Sequence, residues 1–232
     1  MEKELVPAYL EFLLEMVSGH KRGLFLRIAE QRTRFLTVVL EDIYQPHNAS
    51  AVLRSCDCFG VQDVHIIENR NRFKVIDDIV LGSSKWLTLR RYNEEAANTR
   101  ACLTELRSKG YYIMGTTPHK DGIDLEDYVP DRPTALVFGT EKDGLTEEAL
   151  ELCDGYLQVP MTGFTESLNI SVCAAICIHH LAHRLRNSGQ DWRLNDEEKT
   201  GLLTEWALEV TGNRELMETE FLRRLEKVRG ND

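Results

Sequence analysis

The chain has 232 residues, a formal net charge of −10 and a sequence pI near 5.3. Hydrophobic residues make up 42% and charged residues 28%, which is typical of a globular protein. No apolar run reaches the roughly 18 residues that a membrane span needs. The N-terminal stretch mixes acidic with apolar side chains, which argues against a signal peptide or a basic targeting sequence. We therefore expect a cytoplasmic protein without membrane contact, whose six cysteines are thiols.

Two stretches are basic although the whole chain is acidic. Residues 20–34 hold five Lys or Arg and one acidic residue, and residues 69–91 hold six and two. The acidic residues concentrate in 141–154 and 196–220. The total charge argues against a nucleic-acid partner. Each basic stretch is therefore either a solvated charge run or part of one basic surface on an otherwise acidic protein.

Strand and helix patterns alternate between residues 35 and 185. The predicted strands are 35–40, 61–67, 86–91, 111–115, 134–138 and a short one that stops at Pro160. The predicted helices are 49–59 after an Asn48 cap, 94–108, 147–153 after a Thr146 cap, and a long one capped by Thr165 or Ser167. This alternation predicts an α/β domain with a parallel sheet flanked by helices. Ligands of such sheets collect beyond the C-terminal strand ends, where loops 41–48, 115–121, 139–145 and 160–167 lie.

The remaining segments are predicted to be helical or irregular. Helices are expected over 3–17, after Gly23, over 196–210 and over 214–229, and residues 68–85 are expected to be a long loop. These patterns divide the chain into an N-terminal helical extension (1–34), a central domain (35–187) and a C-terminal helical extension (188–232). The long helix that follows Ser167 is apolar on almost every side, which predicts that it is buried.

Several common site motifs do not fit. Gly139 and Gly144 have the spacing of a P-loop, but Leu145 stands where the phosphate-binding lysine is needed. The dinucleotide pattern Gly-x-Gly-x-x-Gly does not occur. Cys173, Cys177 and His180 share one helix face and have the spacing of metal ligands, but cysteine is also a common core residue on such an apolar helix. We therefore predict no metal site.

Three loops carry a more specific signal when they are taken together. Residues 40–60 are LEDIYQPHNASAVLRSCDCFG, residues 135–145 are ALVFGTEKDGL, and residues 159–172 are VPMTGFTESLNISV. In this order and spacing they resemble the three motifs of the SPOUT superfamily. Within it they are similar to the TrmH family of RNA ribose 2′-O-methyltransferases. The similarity spans about residues 20–185, and Lys85-Trp86 also resembles a feature of the family.

The resemblance implies a fold and a site that spacing alone does not. Members of the family bind S-adenosylmethionine in a C-terminal trefoil knot, here about residues 135–185, and are homodimers with active sites at the interface. By resemblance, the cofactor-binding positions are Thr116, Gly139, Val159 and Leu168. The catalytic positions are Asn48, Arg54, Glu141, Ser167 and Asn169. In the basic stretches, the expected RNA contacts are Lys21, Arg22, Arg27 and Lys85.

This assignment is consistent with the chemistry of methyl transfer. S-adenosylmethionine carries its own leaving group, so the protein needs neither a metal nor a covalent nucleophile. The role of Arg54 remains open between a base and a group that holds the phosphate beside the target ribose. We favour the phosphate role, because a guanidinium with a pKa above ~12 releases its proton with difficulty and binds phosphate bidentately.

The sequence thus predicts an RNA 2′-O-methyltransferase, with a D-loop guanosine of tRNA as the favoured target. The same chemistry on ribosomal RNA is the second hypothesis. The third is an RNA-binding protein that has lost catalysis, although the joint presence of all five catalytic positions argues against it. The C-terminal helices are either a packing extension or a determinant of RNA choice.

Overall fold

The computed structural model describes residues 3–94, 97–118 and 120–229, with side chains as far as residue 227. Part of the predicted helix 94–108 (residues 95 and 96) and residue 119 of the predicted loop 115–121 lie outside the described residues. The chain divides into two compact units. Thr33–Trp192 forms one, here called the sheet unit, and Met1–Arg32 forms the other, the terminal unit, together with Arg193–Asp232.

The described residues of the sheet unit form a sheet of seven strands. They are β1 (Leu36–Glu41), β2 (Asp63–Ile67), β3 (Thr88–Tyr92), β4 (Tyr112–Thr116), β5 (Ile123–Asp124), β6 (Thr134–Phe138) and β7 (Gly155–Gln158). Their order is β3-β2-β1-β6-β4-β7-β5, and every pairing between them is parallel. The predicted parallel sheet is therefore confirmed. The central strands β1 and β6 are buried along their whole length, which explains their continuous apolar sequences.

Nine α-helices are described. They are α1 (Val6–Met16), α2 (Gly19–Ala29), α3 (Pro46–Phe59), α4 (Asp77–Val80), α5 (Asn98–Ser108), α6 (Glu147–Leu152), α7 (Ile170–Arg186), α8 (Asp196–Thr211) and α9 (Arg214–Arg229). Two short 3₁₀ turns, Lys3–Leu5 and Ser83–Trp86, complete the described helical structure. The predicted loop 68–85 thus contains α4 and most of the second turn. In the described part of the chain, no helix is long and apolar enough to cross a membrane.

Two layers of helices cover the sheet. On one face α3 and α7 pack together over a core that includes Val38 and Leu40 of β1. On the other face α5 and α6 cover Val39 of the same strand, together with Val137 of β6. Because successive side chains of a strand point to opposite faces, one buried strand supplies both cores.

Four predicted helix starts are wrong, including that of α5, which begins at Asn98 and not at residue 94. Helix α2 begins at Gly19, where the Ser18 hydroxyl accepts from the backbone of Lys21 at 3.4 Å, and not after Gly23. Helix α3 begins at Pro46, so Asn48 lies inside its first turn and is not its cap. Helix α7 begins at Ile170 and is capped by Asn169, not by Thr165 or Ser167, because residues 162–169 remain in the loop. The predicted Thr146 cap of α6 is confirmed, because the Thr146 hydroxyl accepts a hydrogen bond from the backbone N–H of Ala149.

The terminal unit is a helical cluster with an aromatic core. Helix α1 packs against α8 and α9, and the ring of Phe221 lies 5.1 Å from Tyr9 and 5.6 Å from Phe12. Trp206 of α8 lies 5.6 Å from Phe25 of α2. The two terminal segments, which the sequence analysis treats as separate extensions, are held in one unit by these contacts.

Candidate active site

Two of the three loops singled out by the sequence, residues 135–145 and 159–172, line one cavity at the carboxyl end of the sheet. The cavity has a volume of about 230 Å³ and takes its walls from the loops after β4, β6 and β7 and from the start of α7. The residues assigned by resemblance to the methyl donor all line it, namely Thr116, Gly139, Val159 and Leu168. Thr116 is held in place by a bond from its hydroxyl to the carbonyl of Val137 at 2.9 Å.

A chain of hydrogen bonds connects the three loops. The Nδ2 atom of Asn48 donates to Oε1 of Glu141 at 2.7 Å, and Nδ2 of Asn169 donates to Oδ1 of Asn48 at 3.2 Å. Oδ1 of Asn169 accepts from the backbone and the hydroxyl of Ser171, at 2.9 and 2.6 Å. Three predicted catalytic side chains therefore form one network, and the cap of α7 fixes its end.

Glu141 lies where this network meets the cavity. Its Oε1 atom also accepts from the backbone N–H of Gln45, at 3.3 Å. No hydrogen bond to its Oε2 atom is found within the described residues. Ser167 lines the same cavity as Glu141, although its side chain is exposed. The structure thus brings together four of the five predicted catalytic residues.

Arg54 is the predicted catalytic residue that lies apart from this network. It is exposed on α3, in the second turn after Asn48, and it does not line the cavity of its own chain. Among the described residues, none forms a hydrogen bond or ion pair with its guanidinium. Its position in this chain therefore supports neither of its two predicted roles at this chain's cavity.

The loop after β6 is a tight hairpin, and only glycine fits at the base of this hairpin. Thr140 and Gly144 exchange backbone hydrogen bonds of 2.9 and 3.1 Å. A Cβ atom on Gly139 would lie 2.2 Å from the backbone of Gly144, and Gly144 itself has a φ of 69°. The hairpin therefore places the backbone of residues 139–144 directly against the cavity.

A buried carboxylate that was not predicted from the sequence holds the end of this hairpin. Glu41, at the end of β1, is fully buried and accepts from the backbone and the hydroxyl of Thr146, at 3.0 and 2.6 Å. It also accepts from the hydroxyl of Thr99 at 2.7 Å. An acidic residue at the end of an apolar strand was the available signal, because a buried charge needs several donors.

Two further acidic residues fix the loop that follows β2. The carboxylate of Asp42, whose φ is 56°, accepts from the backbone N–H groups of Asn69, Arg70 and Asn71 at 2.8, 2.9 and 3.1 Å. Glu68 accepts two bonds from Arg91, at 2.8 and 2.7 Å. These bonds from Arg91 hold the pKa of the Glu68 carboxyl below its usual range, although burial acts in the opposite direction.

The predicted RNA contacts are divided between the two units. Lys21, Arg22 and Arg27 belong to α2 of the terminal unit, where Arg22 forms an ion pair of 3.2 Å with Glu11. Arg27 is exposed in the last turn of that helix. Lys85 is exposed in the turn Ser83–Trp86 of the sheet unit.

No group of three or more metal-ligating side chains is found in the described part of the chain. Cys173 and Cys177 line the cavity wall, where a hydrogen bond between the two thiols raises the pKa of Cys177. Nε2 of His180 accepts instead from Arg184 at 2.9 Å. The three residues with metal-ligand spacing therefore have other partners.

The cavity fits S-adenosylmethionine. Leu157, Val159, Leu168 and Ile170 provide aliphatic walls for an adenine ring. The backbone of the hairpin offers hydrogen-bonding groups next to them, and Glu141 provides a carboxylate that attracts a positively charged sulfonium.

This fold and site define an RNA methyltransferase of the SPOUT type. The chain belongs to the SpoU rRNA methylase family, whose sequence model matches residues 35–179. Membership confirms the resemblance stated from the three loops and the enzyme class predicted from it.

Two relatives align with most of the length of this chain. It is 38% identical to a tRNA (guanosine(18)-2′-O)-methyltransferase of Borreliella burgdorferi over 206 residues, which are 89% of this chain and 93% of the relative. It is 33% identical over 181 residues to a Thermus thermophilus protein of the same name, over 77% of this chain and 91% of that one.

Solved structures share the fold. An A. aeolicus TrmH/SpoU tRNA modifying enzyme superposes with a TM-score of 0.75 at 27% identity, over 84% of this chain and 98% of that one. The methyltransferase AviRb from Streptomyces viridochromogenes, in complex with AdoMet, gives 0.58 at 25% identity, over 71% and 65%. The second structure, with family membership, confirms S-adenosylmethionine as the methyl donor.

Proposed function

We propose that this protein methylates the ribose 2′-OH of guanosine 18 in the D-loop of tRNA. The observation that carries the proposal is the network of Asn48, Glu141 and Asn169, which joins three loops at the mouth of a cavity suited to the donor. The acceptor is inferred from the relatives, which are named for this reaction. Each aligns with this chain over most of the length of both proteins.

The network has a chemical task in this proposal. When bound, S-adenosylmethionine supplies an electrophilic methyl group on a sulfonium, and the C–S bond breaks as the ribose oxygen bonds to the methyl carbon. Glu141 accepts the hydrogen bond of the 2′-OH on Oε2 and takes its proton as the new C–O bond forms. Asn48 holds the carboxylate in orientation through Oε1, and Asn169 holds the amide of Asn48.

Arg54 is proposed to serve the site of a second copy of the chain. The resemblance implies a homodimer, and α7 presents an apolar face that supports one. Val172 and Ile176 of this helix are 47% and 39% exposed, and Phe164 in the preceding loop is fully exposed. A dimer that covers this face, next to α3, would bring Arg54 to the partner's cavity, where it holds a phosphate of the RNA.

The basic residues of α2 are proposed to bind the body of the RNA. Lys21, Arg22 and Arg27 give the terminal unit a local positive charge despite the acidic total, and Lys85 does so on the sheet unit. We therefore propose that the terminal unit, including α8 and α9, determines which RNA is bound. A cytoplasmic location fits a tRNA substrate and remains a prediction.

The test is methyl transfer from labelled S-adenosylmethionine to an unmodified tRNA transcript, followed by nuclease digestion and mass spectrometry. We expect one 2′-O-methylguanosine in the D-loop, and no transfer to a transcript that has 2′-deoxyguanosine at that position. Transfer to ribosomal RNA alone would support the second hypothesis. Binding of RNA without any transfer would support loss of catalysis.

A further inference from the structure

A second cavity adjoins the first and has no role in the mechanism described so far. Its volume is about 370 Å³, and it shares the hairpin residues 140–145, including Glu141, with the donor cavity. Its other walls come from the loops after β1 and β2, through Tyr44, Gln45, Arg70 and Asn71. The two cavities therefore meet at the proposed proton acceptor.

The walls of this second cavity are tied to one another. The Asp42 carboxylate holds the backbone of residues 69–71, and Nδ2 of Asn71 donates to the carbonyl of Asp42 at 2.8 Å. The backbone of Gln45 donates to Glu141 at 3.3 Å. These hydrogen bonds fix the backbone around the cavity before a ligand binds, as is usual for a small-ligand site.

Tyr44 gives the cavity its chemical character. Its side chain lines the cavity while the residue is 71% exposed, so most of the aromatic ring is uncovered. Bare aromatic rings in RNA-binding proteins stack on unpaired bases. Arg70 on one wall supplies planar donors, and Asp143 on the hairpin supplies a carboxylate acceptor. Guanine has the matching edges, because O6 and N7 accept from arginine while N1–H and the 2-amino group donate.

We propose that this cavity binds the base of the nucleotide that is methylated, with the base stacked on Tyr44 and Arg70 at its edge. The inference rests on the proposed function. A base held here has its ribose at the shared wall, so the 2′-OH reaches Glu141 and the donor cavity together. Arg70 alone would equally suit a phosphate, but a phosphate has no use for the uncovered ring of Tyr44.

The first experiment compares matched variants in steady-state methylation of the tRNA transcript. Arg70→Ala removes a cation from the cavity, and Arg72→Ala removes the same charge from an exposed position of the same loop outside the cavity. We expect Arg70→Ala to lower kcat/KM by about ten-fold or more and Arg72→Ala by several-fold less. Affinity for S-adenosylmethionine, measured by calorimetry, should stay unchanged in both, and thermal unfolding checks that both variants fold.

The second experiment reports stacking without catalysis. A transcript with 2-aminopurine at the acceptor position should lose fluorescence when the protein binds, because stacking on an aromatic ring quenches this base. Tyr44→Phe keeps the ring and should retain most of the quenching, whereas Tyr44→Ala should lose it. RNA affinity, measured by filter binding, gives the fraction bound at which the signals are compared.

The outcomes separate this inference from the proposed function. Equal losses for Arg70→Ala and Arg72→Ala, with quenching intact in Tyr44→Ala, would overturn the base site and leave only an electrostatic contact. If the wild-type protein methylates no tRNA nucleotide, the proposed function fails instead. If the wild type is active but the Tyr44 and Arg70 variants match it, the base site alone fails.

Discussion

Asn48 is the residue that connects the separate loops of the site. Its amide donates to Glu141 and accepts from Asn169, so both ends are used. The isosteric change Asn48→Asp replaces the donor with an acceptor and places a negative charge 2.7 Å from the Glu141 oxygen. We expect kcat to fall by about 100-fold, which corresponds to the loss of a hydrogen bond to a charged group.

Asn48→Ala provides the comparison for this prediction. It removes the same hydrogen bonds without the added charge, and it should lose nearly as much activity if the amide orients Glu141. Affinity for S-adenosylmethionine should change little in both variants, because Asn48 does not line the donor cavity. Full activity in Asn48→Ala would contradict a role for the network in methyl transfer.

Gly139 allows a second prediction at the scale of one residue. A methyl group on Gly139 would clash with the backbone of Gly144, so the hairpin must open against the cavity. We expect Gly139→Ala to weaken binding of S-adenosylmethionine by about ten-fold, as overpacking of a close contact does. The control is Gly163→Ala in the third loop, where the nearest atom to an added Cβ is 4.0 Å away. Calorimetry that finds equal affinities for the two variants would show that the hairpin does not shape the donor site.

At the scale of secondary structure, His65 links β2 to β3 in the interior of the sheet unit. Its Nδ1 atom lies 3.0 Å from the hydroxyl of Tyr92, which donates its own proton to Glu105. His65 therefore donates through Nδ1, and the neutral ring suffices. Burial lowers the pKa of His65 to about 4.

This shift makes stability depend on pH in a definite direction. The unfolded chain binds a proton at His65 below pH 6.5, whereas the folded chain binds it only near pH 4. The free energy of unfolding should therefore fall by about 3 kcal/mol through this group as the pH drops across that window. In His65→Gln, urea unfolding should show a smaller loss between the two pH values, and the exposed His47→Gln should behave like the wild type. Parallel curves for all three proteins would contradict the prediction.

A further prediction concerns the RNA contacts of helix α2. Arg22 already pairs with Glu11, so Lys21 and Arg27 are the better probes of RNA contact. Reversing both to Glu should lower the slope of log affinity against log salt by about 1 to 2, because each phosphate contact releases counterions. Reversal of Arg100 in α5 and of Lys109 at its C-terminal cap changes the net charge equally and serves as the control. Equal slopes for the two double variants would show that α2 does not touch the RNA.

The observed strands and helices also show which local features the sequence encodes. Buried parallel strands appear as apolar runs, so β1, β2, β4 and β6 were predicted within two residues of their observed ends. The starts of α3 and α7 were not, because several residues near each start can cap a helix. The amide of Asn48, which could have been a cap, is bound to Glu141 from a distant loop.

For the whole molecule, the decisive question is whether two chains build one site. Arg54→Ala and Glu141→Gln should each abolish turnover. When the two inactive variants are mixed and allowed to exchange subunits, half of the dimers combine them, and each such dimer contains one intact site if Arg54 acts across the interface. Activity should then return to about a quarter of the wild-type value. No recovery, with mixed dimers verified by mass spectrometry, would place Arg54 in the site of its own chain or outside both.

The class of fold and the family were predictable from the sequence alone. The parallel sheet follows from the alternation of apolar runs with helical patterns, and the loop residues at the strand ends carry the resemblance. These features depend on residues that are close in the chain, so they can be predicted without coordinates.

Which of these residues meet follows from the pairing of distant strands. Asn48 and Glu141 are far apart in sequence, and their bond exists because β1 and β6 are neighbours in the sheet. The same adjacency placed Glu41 beneath the hairpin, and the pairing of β1 with β2 allowed Asp42 to hold the loop beside Tyr44 and Arg70. Long-range pairing of strands thus created both cavities, since no local pattern specifies which strand ends lie side by side.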